Sequence, residues 1–331
     1  MRRLLTLKRL RGLFLASALL LTGALGFLGL LSPKGAEVGE RLTPSTVLQH
    51  SQMNEVSGLV AASGSREFLW AHNDSGNEPR LFAITPEGSL AVPLGVQQEE
   101  YGGIDVVGST LVDWETIARD GDRLYICDLG NNLNARKHLG VYEVIEPEPY
   151  RDLEVQVSRY FEVKYPDQNS FPPTGDWRFD CEASFCRDGK LYILTKERPA
   201  FRIFVQRDST RCYALDLTGA QGVNELELVD TLSGLGGWVT AADIDSAGKR
   251  VAILCESPQQ SIWLFELGTG EMGFLSNSPT VKRYLFQGGG QLESLAFLET
   301  SSGEELFMVN EGREVFRIPM SKFEVVDGPT G

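Results

Sequence analysis

Five acidic residues close five similar apolar stretches of this chain, and carboxylates gathered in that way could hold a hard cation or move a proton. The stretches are residues 68–74, 124–128, 191–197, 251–256 and 306–311. Their terminal acids, Asp74, Asp128, Glu197, Glu256 and Glu311, are spaced by 54, 69, 59 and 55 residues. A second acidic series opens the strand before each stretch. Glu115, Glu182 and Glu293 stand there in three copies, with Ser57 and Thr240 in the other two. Carboxylate and amide oxygens, such as those of neighbouring Asn73, Asn131, Asn132 and Asn310, suit Ca2+ better than a transition metal. Brought together without a counter-ion, so many like charges would raise one another's pKa values.

The elements that carry these acids repeat as well. A recurrence near this period is the sign of stacked supersecondary units. Each copy has a first strand, a Gly/Asp turn such as Asp120-Gly121-Asp122 or Arg187-Asp188-Gly189, and a second strand ending in the acid. A third strand follows with an aromatic: Phe82, Tyr142, Tyr213, Trp263 or Phe316. Fourth strands are read at 89–96, 157–165, 225–232 and 281–286, with no convincing amphipathic helix anywhere. The fifth copy lacks a fourth strand, and a strand-like piece at 45–51 precedes the first copy. Pairing that piece into the last sheet would close a ring and remove two raw edges. The expected fold is therefore all-β: a single β-propeller of five blades, closed by an N-terminal strand. Six blades is the alternative, because the interval from Asp128 to Glu197 is long and 201–217 has room for further strands.

In a propeller blade the first two strands are antiparallel and nearest the axis. The start of the first and the end of the second then share one mouth of the channel. Glu115, Asp128, Glu182 and Glu293 are the expected Ca2+ ligands, with Asp74 or Glu197 as the base that activates water. No other cofactor is expected. Trp70, Tyr125, Tyr192 and Phe307 occupy equivalent second-strand positions and read as core, while Trp114 and Trp238 read as tryptophans packed at the rim.

The chain has 331 residues and a formal net charge of −14, which argues against nucleic acid as a partner. Arg2, Arg3, Lys8, Arg9 and Arg11 precede an uncharged apolar run at 13–31 that could just cross a bilayer. Residues 1–31 are read as a signal peptide or signal anchor, 32–43 as a linker, 44–325 as the propeller domain and 326–331 as a tail. The domain is expected outside the cytoplasm, periplasmic or extracellular, and attached to the inner membrane by its N-terminal segment if that segment is not cleaved. The odd count of five cysteines leaves at least one thiol unpaired. No C-x2-C pair or histidine cluster points to zinc.

Several runs carry a resemblance: Ser57-Gly58-Leu59, His72-Asn73-Asp74-Ser75-Gly76, Asp113-Trp114-Glu115, Asp128-Leu129-Gly130-Asn131-Asn132, Thr195-Lys196-Glu197 and Gln291-Leu292-Glu293-Ser294. Together they resemble exported bacterial β-propellers grouped with phytase-like and esterase-like propeller proteins. The resemblance spans nearly all of 57–317 and implies a bacterial envelope protein. It departs from propeller phytases in the first copy, where Ser57-Gly58 stands in place of an adjacent acidic pair. The expected function is Ca2+-dependent hydrolysis of a phosphate or carboxylic ester. The absence of a G-x-S-x-G elbow disfavours a serine nucleophile. The alternative is a non-catalytic envelope module that binds a protein, peptide or glycan through loops 97–110, 132–137 and 167–178.

Overall fold

Short apolar runs punctuated by turn glycines fold this chain into antiparallel meanders. The computed structural model describes residues 39–331 apart from 65–67, 220–221, 269 and 302. The leader and most of the linker read from the sequence lie outside the described residues. Among the described residues, no helix is long and apolar enough to cross a membrane.

Five meanders follow one another. The first comprises Val56–Ala61, Leu69–Asn73, Arg80–Ile84 and Ile104–Val107. The second comprises Thr116–Asp120, Arg123–Asp128, Leu139–Ile145 and Glu154–Lys164. The third is Trp177–Arg187, Lys190–Arg198, Ser209–Asp216 and Glu227–Ser233, and the fourth is Gly237–Ile244, Arg250–Pro258, Gln260–Glu266 and Val281–Gln287. The last comprises Leu292–Thr300, Gly303–Asn310 and Glu314–Pro319. Thr46–Val47 completes it, pairing antiparallel with Val315 and Glu314. The inner strands stand side by side in a circuit, each next to the following one, and Leu292–Thr300 returns to Val56–Ala61. This is a β-propeller closed by an N-terminal strand.

Apolar layers between neighbouring sheets form the core. Trp70, Tyr213, Phe185, Phe265, Phe307 and Phe316 are almost fully buried in them. Each such side chain contributes roughly 1.5–3 kcal/mol of burial. Sheet edges are covered as well. Glu40–Arg41 and Glu324–Val326 both add to Val281–Gln287, and Thr330 bridges to Ser233. Gly39–Gly331 forms one compact unit. All five cysteines are buried free thiols.

Two strand expectations need correction. The outer strand of the first meander is Ile104–Val107, and 89–96 contributes only the bridge Leu90 to Ile84. Pro93 has no N–H to give a ladder. Residues 201–217 hold one strand, Ser209–Asp216, which is the third strand of its meander rather than part of an extra sheet.

The inner strands share an irregularity that positions the site. Val56 pairs with Asn73 and Gly58 with His72, so Ser57 is an extra residue in its ladder. Glu182, Thr240 and Glu293 are extra in the same way. In the second meander Thr116 pairs with Cys127, while the Glu115 N–H donates to the Cys127 carbonyl at 3.1 Å. A bulge bends its strand and re-aims the side chain it carries. One position is thus redirected in every meander, and it is the position that carries the glutamates.

Candidate functional site

Asp113 and Glu115 stand two residues apart just ahead of Thr116–Asp120, and Asp180 and Glu182 stand two apart within Trp177–Arg187 of the next meander. Asp74 joins the first pair from the end of Leu69–Asn73. Carboxylate oxygens of Asp74, Asp113 and Glu115 all lie within 4.8 Å of one another. Gly130 makes room for them, since a Cβ there would stand 2.3 Å from Glu115 Oε1 and 2.6 Å from Asp113 Oδ2. Ser57 Oγ donates to the Glu115 carbonyl at 3.0 Å, tying the first two inner strands together. Asp74 accepts the N–H of Ser75.

Burial pushes the carboxyls of Asp74 and Glu115 well above the usual range. After burial, the charges acting most strongly on both are other carboxylates: Glu293, Asp113 and Glu55 on Asp74, and Asp74, Glu182, Asp113 and Asp180 on Glu115. Asp113 is pushed up to about 6 by burial and by Asp180, against the pull of Arg136. Burial also raises Glu293 against the pull of Lys196, and Glu311 reaches about 7 through burial and the nearby Glu293. Three converging oxygens with an excess of negative charge are a donor set for a hard cation.

The third meander supplies the positive charge. Lys196 Nζ lies 2.7 Å from Glu182 Oε1. Burial alone would lower the lysine pKa, but the Glu182 carboxylate overrides it and holds the amine protonated. Behind this pair, Arg198 donates to Asp180 at 2.6 Å, and Asp180 also accepts the Asn131 N–H at 2.6 Å. Lys196 and Arg198 stand 5.5 and 5.2 Å from the ring of Trp238, whose indole N–H donates to the Glu197 carbonyl at 2.9 Å.

Of the residues picked out by sequence, Glu115 and Asp74 meet directly. Glu182 and Glu293 join them through the electrostatic contacts above. Asp128 stands behind, accepting Arg136 at 2.7 Å and the Asp113 N–H at 3.0 Å, so it orients Asp113. Glu197 lies on the opposite side of its strand from Lys196. It accepts Ser209 Oγ at 2.6 Å and faces Arg211 and Arg178 at 3.4 and 3.7 Å. Glu256 accepts Gln260 Nε2 and the Leu292 N–H, and burial pushes it up to about 8. Asp113 and Asp180 went unread as site residues. Their signal was present as an acid two residues ahead of Glu115 and Glu182. Trp114 is fully buried, edge-on to His72.

No protein-family model and no curated protein matches this sequence. Among solved structures, the chain is similar to a gluconolactonase from Xanthomonas campestris, with 11% identity, a TM-score of 0.40 and coverage of 90% of this chain and 96% of that one. It is also similar to the Malassezia sympodialis allergen Mala s 1, with 11% identity, a TM-score of 0.47 and coverage of 86% and 96%. A third likeness is to the Pan2 WD40 domain of Neurospora crassa, with 8% identity, a TM-score of 0.34 and coverage of 85% and 67%. Likenesses of this order do not bear on the chemistry of the channel mouth.

Proposed function

We propose that this propeller binds a divalent cation, Ca2+ by the chemistry of its oxygen donors, at one mouth of its channel, and that it hydrolyses a phosphate or carboxylic ester there. The observation that carries the reading is the convergence of Asp74, Asp113 and Glu115 within 4.8 Å over a glycine that leaves them room. The residues fit the ion: hard oxygens, crowded carboxyls that ionise together only at a cost a cation would relieve, and Asp128 fixing one ligand from behind. Bound Ca2+ would supply the charge that draws in and polarises an ester or phosphate oxygen. Glu293, raised by burial and felt electrostatically by Asp74, is the group suited to take a proton from water. Lys196 fixes a positive charge beside Glu182 and within the field of Glu293. The basic, then apolar, N-terminal sequence and the shared motifs support an exported member of the phytase-like and esterase-like propellers.

Calorimetric titration of Ca2+ into chelator-treated protein tests the ion. Binding is expected in the wild type and lost in Glu115→Gln; no heat and an unchanged melting midpoint in the wild type would defeat the reading. A panel of phosphate and acyl esters, compared between wild type and Glu293→Gln, tests catalysis. Ca2+ binding without turnover would leave an envelope module that binds a protein, peptide or glycan.

A further inference from the structure

The loops on one side of the channel mouth carry an apolar crest. Leu133, Phe171, Phe201, Ile203, Phe204 and Val205 are exposed there, Phe201 by 70% and Phe204 by 67%. They sit on three loops: after Arg123–Asp128, before Trp177–Arg187, and after Lys190–Arg198. All three lie at the end of their sheets that carries the acidic mouth. Hydrogen bonds make them one body. Gln168 Nε2 donates to the Asn134 carbonyl at 3.0 Å, Asn134 Oδ1 accepts the Phe179 N–H at 2.9 Å, and Arg207 donates to Asp176 at 2.9 Å. The Phe201 ring stands edge-on to Trp177 at 5.4 Å. Phe201 also has a φ of 59°, in the left-handed region that a bulky side chain rarely adopts. Strain kept at an outward-facing aromatic points to use rather than to packing.

Charge on this crest runs against that of the whole protein. The chain carries −14, yet the carboxylates among these loops are engaged. Asp167 pairs with Arg211, Asp176 with Arg178 and Arg207, and Asp208 accepts the Gly236 N–H. Lys137 stands over the Phe171 ring at 5.8 Å, and Arg202 lies between Phe201 and Ile203 in the chain. Neither has a carboxylate partner among the described residues. Asp208 alone of these carboxylates is paired with no cation, and the charges beside the apolar tips, Lys137 and Arg202, are positive.

We propose that this crest docks on an anionic lipid surface, with the aromatic and branched side chains entering the headgroup boundary and Lys137 and Arg202 meeting lipid phosphates. Apolar side chains interleaved with basic ones are what such a boundary recognises. The sequence also supplies proximity. The seven residues 32–38 between the apolar run at 13–31 and Gly39 would reach roughly 25 Å at full extension. The docking does not depend on the cation reading.

Flotation of Gly39–Gly331 with vesicles, in chelator, tests it. The protein is expected to float with phosphatidylcholine vesicles containing phosphatidylglycerol and weakly with phosphatidylcholine alone. Phe204→Ser should lower the bound fraction by at least about tenfold, and Lys137→Glu with Arg202→Glu should abolish the preference for the anionic lipid. If Phe204→Ser lowers the melting midpoint, the charge variant alone decides. Failure to float with either composition, or flotation that neither variant changes, overturns the proposal. So does a Phe204→Ser variant that turns a dimer into a monomer in sedimentation, since the crest would then be a contact between copies of this chain.

Discussion

Lys196 Nζ lies 2.7 Å from Glu182 Oε1, with the two side chains only 11% and 3% exposed. This pair divides the mouth. On its side, one carboxylate is neutralised within the protein; on the first two meanders, Asp74, Asp113 and Glu115 converge on one another. A cation therefore has a reason to sit with the first two meanders and not with the third. Lys196→Met would strand the Glu182 charge in a dry site. Breaking a buried pair in this way costs about 3–5 kcal/mol. Urea unfolding at neutral pH should show that loss, and adding Glu182→Met should recover much of it. A single variant as stable as wild type would mean that the pair does not organise the mouth.

The carboxyls of the mouth set a pH dependence opposite to that of most proteins. Asp74 and Glu115 are raised well above their ordinary values by burial, with Asp113 at about 6 and Glu311 at about 7. A carboxyl with a raised folded pKa keeps its proton in the folded state at a pH where the unfolded chain has lost it. The folded state then binds more protons, and stability falls as pH rises from the unfolded pKa towards the folded one. Without divalent cations, the melting midpoint should therefore fall between about pH 5 and pH 8. Ca2+ should flatten that decline, because it binds only the deprotonated ligands. Its affinity should rise over the same window, with protons released on binding. A cation-free midpoint that climbs through this range would show that the carboxyls are not strained by burial.

Gly130→Ala tests the cradle without touching a ligand. The added methyl would fall 2.3 Å from Glu115 Oε1 and 2.6 Å from Asp113 Oδ2, so both carboxylates must move apart. Ca2+ affinity should drop by at least about tenfold, roughly 1.4 kcal/mol. The expected far-UV circular dichroism is that of wild type. Calorimetry on the same sample makes the comparison, and unchanged affinity would place the ion elsewhere.

Much of this arrangement was legible because period and chemistry coincide. The five acid-ended strands and the preceding glutamates announced stacked meanders, and Glu115 with Asp74 did meet. The strand-ending acids read less well because a strand alternates. Lys196 turns towards Glu182, so Glu197 must face the other way, towards Ser209 and Arg211. Asp128 follows the pattern in sequence but is drawn aside by Arg136, a residue eight positions on whose reach no spacing rule gives. The bulges at Ser57, Glu182, Thr240 and Glu293 were hidden as well. They depend on which residues pair across two strands, and a linear pattern does not hold that information. The outer strand of the first meander was misplaced because 89–96 has suitable side chains but lacks a proline-free ladder.

The closure strand offers a test of the ring itself. Thr46–Val47 caps Glu314–Pro319, the Ser45 N–H donates to the Val315 carbonyl at 2.7 Å, and the Leu48 N–H donates to the Arg313 carbonyl at 2.8 Å. Leu48 is 1% exposed and packs in the core with Val315 and Phe307. A chain starting at residue 49 loses these bonds and the Leu48 side chain, and it bares the edge of the last sheet. For a domain of this size, a loss of several kcal/mol lowers the midpoint by about 10 °C. The bare strand should also pair between molecules and give concentration-dependent association. Supplying residues 39–48 as a free peptide should reverse both effects, since the missing strand has lost only its covalent link. A truncated protein that stays monomeric and melts with the wild type would mean that the ring is held shut by the packing of its sheets alone.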